Sequence, residues 1–99
     1  MSDLIRIVRM TFREDEVENF LTVFHSSKKK IRAFDGCLHL ELHKDYNEEN
    51  IFSTYSIWEN ENALNAYRTS DLFKSVWSKT KPLFKERPMA FSSKSILEV

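Results

Sequence analysis

Leu4 to Phe12 is rich in apolar residues and reads as a β-strand with Ile5, Ile7 and Arg9 on one face and Arg6, Val8, Met10 and Phe12 on the other. Both faces are largely apolar. From Glu14 the period lengthens to that of a helix, with Val17, Phe20, Leu21, Phe24 and Ile31 at helical spacing. Glu14, Asp15 and Glu16 crowd its first turn, and Lys28, Lys29, Lys30 and Arg32 its last, the arrangement that the helix dipole favours. Thr11 and Glu14 have capping-box spacing, so the helix is predicted over about residues 14 to 32.

Asp35-Gly36 signals a turn, after which Cys37 to His43 alternates strictly, Leu38, Leu40 and Leu42 against Cys37, His39, Glu41 and His43. Beyond a polar connection, Ile51 to Trp58 reads as a third strand with Phe52, Thr54, Ser56 and Trp58 opposite Ile51, Ser53, Tyr55 and Ile57. Asn60 is placed to cap a short helix carrying Ala63, Leu64 and Tyr67, and Ser70 to cap another carrying Leu72, Phe73, Val76, Trp77 and Thr80. Met89 to Val99 is predicted as a last strand, interrupted by the polar run Ser92 to Ser95. The order β-α-β-β-α-β, its second helix split in two, predicts a ferredoxin-like α+β fold: an antiparallel sheet with helices on one face. A chain this short has nothing left to cover the other face. A homodimer joined through its sheet faces, giving a dimeric α/β barrel, is the expected solution.

Ninety-nine residues make one domain over residues 1–99, and eight Phe, three Tyr and two Trp supply the surface for a packed core. Fifteen basic and fifteen acidic side chains balance, which removes the physical basis for coating nucleic acid or anionic lipid. No apolar run approaches the roughly 20 residues of a membrane span. The single cysteine, Cys37, and a start lacking signal-peptide character predict a cytoplasmic protein. With Gly36 the only glycine, neither the dinucleotide fingerprint nor a P-loop can be written.

The segments Phe34-Asp35-Gly36-Cys37-Leu38, Ser56 to Leu64, Tyr67 and Thr69-Ser70-Asp71-Leu72-Phe73 resemble, in order and spacing, the antibiotic biosynthesis monooxygenase family of dimeric α/β barrels. That resemblance implies a cofactor-independent monooxygenase acting on a small aromatic, phenolic or quinol substrate; no cofactor is predicted. One branch of the family opens haem, using a strand-one Asn, a helix Trp and a ligating His. By spacing, Val8, Tyr67 and Trp77 occupy those places here, and an indole is no substitute for the imidazole ligand. Haem degradation is therefore disfavoured.

Cofactor-free oxygenation requires an apolar slot for an aromatic ring and a base that makes the electron-rich anion. Trp58, Tyr67, Phe73 and Trp77 are the candidate substrate-binding residues, and His39 is the candidate base, imidazole being the side chain best suited to that role at neutral pH. Core packing is the simpler role for Trp58 and Phe73; Tyr67 and Trp77 carry polar tips that need partners when buried. The role of His39 depends on whether its strand face meets the helices, a dimer partner or water. His39 and His43 lie roughly 13 Å apart along an extended strand, against about 2 Å from each ligand atom to a zinc ion, so no metal site is expected. Cys37 reads as a small packed side chain. The alternative from another class is a non-catalytic small-molecule-binding or structural dimeric barrel.

Overall fold

The computed structural model describes residues 3–99. Four strands, β1 (Leu4–Thr11), β2 (Cys37–Lys44), β3 (Ile51–Trp58) and β4 (Met89–Ser93), form one antiparallel sheet in the order β2-β3-β1-β4. Helices α1 (Val17–Arg32), α2 (Glu61–Arg68) and α3 (Asp71–Thr80) complete the ferredoxin-like α+β arrangement. The pairings Val8 with Thr54, Met10 with Phe52 and Val8 with Ala90 put those residues on the helix-covered face. The alternate residues Ile5, Ile7, Tyr55, Ile57, Met89 and Phe91 share the other face, where no helix packs; Met89 and Phe91 are 52% and 53% exposed.

The core divides in two. At one end Phe12 is fully enclosed, its ring stacked on Phe20 at 4.1 Å and on Phe84 at 5.3 Å, with Met10, Phe24 and Phe52 around it. At the other, Trp58, Cys37 and Leu64 are buried against Phe34, Ala63 and Tyr67. Burying each such aromatic contributes about 1.5–3 kcal/mol, and each ring pair about 0.5–1.5 kcal/mol more.

Both predicted caps of the later helices form: Asn60 Oδ1 accepts from the Ala63 N–H at 2.9 Å, and Ser70 Oγ from the Phe73 N–H at 3.1 Å. The capping box at Thr11 does not. Thr11 stays in β1, Glu14–Glu16 makes a 3-10 turn, and Glu16 instead receives Arg13 at 3.0 Å and Asn19 at 2.6 Å. The last strand also stops at Ser93 rather than Val99: its pairing with β1 runs from Arg9–Met89 to Ile5–Ser93, and Ile96 and Leu97 lie exposed beyond it. Strand β2 departs from strict alternation. Cys37 pairs with Trp58 and His39 with Ile57, so a bulge at Leu38 turns Cys37 inward and leaves Leu38 exposed. Burial raises the Cys37 thiol pKa, its Sγ lying 3.6 Å from the His39 carbonyl, as suits a packed side chain rather than a thiolate.

Candidate functional site

Between the helices and the sheet lies a cavity of about 610 Å³. Its existence follows from the side chains that the sheet sends toward the helices. Val8, Thr54, Ser56 and Ala90 are small or medium-sized, whereas Met10 closes one end of the space against the packed Phe12, Phe20 and Phe52 core. The facing helices hold large rings above that low floor.

Those rings run as a continuous wall. Trp58 stacks on Tyr67 at 5.0 Å, Tyr67 meets Phe73 edge-on at 5.2 Å, Phe73 stacks on Trp77 at 5.7 Å, and Trp77 reaches Phe84 at 5.5 Å. Trp58 is anchored: it is 1% exposed and its Nε1–H donates to Ser56 Oγ at 3.0 Å, which satisfies the indole inside the core. Phe73 and Trp77 stand four residues apart on α3 and present one face. All four sequence-predicted binding residues, Trp58, Tyr67, Phe73 and Trp77, therefore border one space.

His39 does not join them. It lies on the opposite, uncovered face of the sheet, where its Nε2 contacts Glu41 Oε2 at 2.5 Å while His43 Nε2 contacts Glu41 Oε1 at 2.6 Å. Tyr55 lies across from both imidazoles, and hydrogen bonds from His43 and His39 hold the Glu41 carboxyl below its usual pKa. A ligand beside Trp77 is thus separated from His39 by the sheet itself. Among the described residues, no Asp, Glu, His, Cys or Lys lines the cavity, and no group of three or more His, Cys, Asp or Glu side chains is arranged to hold a metal ion.

The polar groups that do face the cavity were only partly visible beforehand. Tyr67 is one; burial pushes its pKa up to about 12, so at neutral pH it is a hydroxyl and a hydrogen-bond donor. Arg6 and Arg68 are the lining residues that carry charge, and neither was singled out from sequence. Arg6 had a readable signal, a charge on the inward phase of an apolar strand. Arg68, at the end of α2, had none.

The family model for antibiotic biosynthesis monooxygenase matches residues 3–77. The chain belongs to that family. Its fold recurs in a conserved protein from Methanosarcina mazei Go1 at TM-score 0.90 and 15% identity, covering 94% of this chain and 92% of that one. It recurs also in a Mycobacterium tuberculosis protein at TM-score 0.89 and 18% identity, covering 98% of each chain. A structure described as an antibiotic biosynthesis monooxygenase matches at TM-score 0.89 and 15% identity, over 95% of this chain and 99% of that one. Identities this low carry the fold alone. No curated protein matches the chain. Val8, Tyr67 and Trp77, the three residues that sequence spacing sets against the haem branch's Asn, Trp and His, all line the cavity. They supply no axial imidazole or thiolate there, so the site fits a haem poorly. No helix of the described residues is long and apolar enough to cross a membrane.

Proposed function

We propose that this antibiotic biosynthesis monooxygenase family member is a cofactor-independent monooxygenase for a small aromatic phenol, quinol or anthrone. The observation that carries this reading is the cavity of about 610 Å³ with its wall of Trp58, Tyr67, Phe73 and Trp77. A flat ring binds by stacking on Trp77 and Phe73 over the floor of Thr54, Ser56 and Ala90, and the aromatic wall keeps water from its face. The substrate itself supplies the electrons: one atom of O2 enters the ring or becomes its ketone, and the other leaves as water. Tyr67, held as a hydroxyl, donates a hydrogen bond to oxygen developing negative charge.

The functional unit in this reading is a homodimer. The uncovered sheet face presents Ile5, Ile7, Tyr55, Ile57, Met89 and Phe91 together, a hydrophobic surface that a second copy would bury, closing two sheets into an α/β barrel. A non-catalytic binding dimer is the competing reading, favoured by the lack of a carboxylate, imidazole or thiol among the cavity-lining residues. Native mass spectrometry followed by oxygen uptake with a panel of hydroquinones and anthrones separates the two. The oxygenase reading expects turnover in the wild type that falls at least tenfold in Trp77→Phe; a dimer with no uptake on any panel member refutes it and leaves the binding role.

A further inference from the structure

Any oxidation of a phenol in this cavity meets a difficulty. Oxygen reacts with the anion, yet the wall and floor contain nothing that takes a proton near neutral pH. His39 is across the sheet, Tyr67 remains protonated, and the remaining titratable side chains lining the cavity are two guanidinium groups, Arg6 from β1 and Arg68 from α2. The segments of β2, β3, β4, α1 and α3 that line it contribute none.

Half-buried Arg6 and exposed Arg68 line one space without a carboxylate, so their like charges add there instead of being neutralised. The ion pairs of the described residues are Arg9 with Asp45, Arg13 with Glu16, Lys44 with Glu49, and Glu41 with His39 and His43; neither Arg6 nor Arg68 takes part. Partial burial, and then the charge of Arg68, lower the Arg6 pKa, and no carboxylate offsets them. Arg6 is nevertheless held in place: its Nη1 donates to Ser92 Oγ at 2.9 Å, which leaves most of its five N–H donors available. Two unneutralised guanidinium groups lining a space beside an aromatic wall have the chemistry of a receptor for an aromatic anion.

We propose that Arg6 and Arg68 form an oxyanion subsite that binds the substrate as its phenolate, so that a bound phenol gives its proton to water and no side chain of the cavity acts as base. The inference rests on the phenol-oxidising reading above and extends it to the ionisation state of the substrate. Stabilising the anion more than the neutral phenol lowers the phenol's own midpoint in the complex, by linkage between binding and ionisation. The chemical step charged to the protein is then electrostatic: the O–H bond breaks, the proton goes to solvent, and the electron pair stays on an oxygen facing two cations.

The test uses para-nitrophenol, whose ionised form absorbs in the visible and which has no need to be oxidised. Spectrophotometric pH titration with and without the purified wild-type protein is expected to show the bound midpoint about one pH unit lower, equivalent to roughly tenfold tighter binding of the ionised form. Arg6→Gln and Arg68→Gln should each cut that shift, and the double variant should abolish it, with circular dichroism confirming the fold. Arg68 is exposed, so its replacement carries little risk to folding. Lys28→Gln/Lys29→Gln, which alters the shallower groove that Lys28 and Lys29 line with Arg32 at the end of α1, should leave the shift intact. No binding, equal affinity for the two forms, a preference that survives in the double variant, or one that follows Lys28 and Lys29 each overturns the proposal. Because the probe is read at equilibrium, an anion preference without oxygen uptake by any quinol would keep the subsite and sink the oxygenase reading. Uptake without the preference would do the reverse.

Discussion

Replacing Gly36 with alanine tests whether the helix that carries Tyr67 and Arg68 is seated by a single close approach. Gly36 has φ +90°, outside the range in which L side chains are at ease, and a Cβ built there overlaps the Cβ of Ala63 on α2 and comes within 4.0 Å of Glu59 Cβ. The Gly36 carbonyl also accepts the Glu59 N–H at 2.8 Å, so the turn before β2 is tied to the junction between β3 and α2. The left-handed conformation costs a non-glycine residue about 1–2 kcal/mol, and forcing a methyl group into a packed site about 1–3 kcal/mol. Gly36→Ala should therefore lose about 2–5 kcal/mol, a large part of the stability of a small domain. Ala63→Gly in the same chain removes the overlap but leaves the backbone strain, and itself costs up to about 1 kcal/mol in helix propensity. Urea unfolding of the four proteins in this double-mutant cycle should show a favourable coupling of about 1–3 kcal/mol. A loss below about 1 kcal/mol in Gly36→Ala, or additive effects of the two changes, would refute the reasoning. The same displacement of α2 should weaken ligand binding in Gly36→Ala and not in the double variant.

Two further outcomes follow from the site. Because burial raises Tyr67 from 10.0 to about 12, the unfolded chain ionises first; its contribution is fully present below about pH 10 and is lost as pH rises toward 12. The loss should reach about 2–3 kcal/mol, and thermal melts against pH should show that alkaline decline shrinking in Tyr67→Phe. Ser56→Ala strips the buried Trp58 indole of its acceptor at 3.0 Å and should cost about 1–3 kcal/mol in chemical denaturation, where a change under about 0.5 kcal/mol would show that the indole finds another partner.

Much of the architecture is legible in local pattern. The alternation in Ile51–Trp58 sorted its residues onto two faces correctly, and Asn60 and Ser70 cap the helices that their spacing marked. A cap needs only a side-chain oxygen and an N–H three residues on, so sequence neighbours contain the whole interaction. Cys37 shows where this fails. Its phase was read from strict alternation, but a bulge is a property of the pairing with β3, and one extra residue turns a side chain to the other face.

The chain by itself determined the element order, the aromatic set Trp58, Tyr67, Phe73 and Trp77, and the surplus of apolar positions on both faces of β1. Only the tertiary structure decided that these rings border a cavity, that His39 lies beyond the sheet from it, and that Arg6 and Arg68 face the same space. The reason is physical. Periodicity and capping are written within a few residues, whereas a cavity is the volume left over when a floor of Thr54, Ser56 and Ala90 meets a roof from α2 and α3. The potential inside it is set by charges from Arg6 and Arg68, far apart along the chain, which only the packed fold brings to one space.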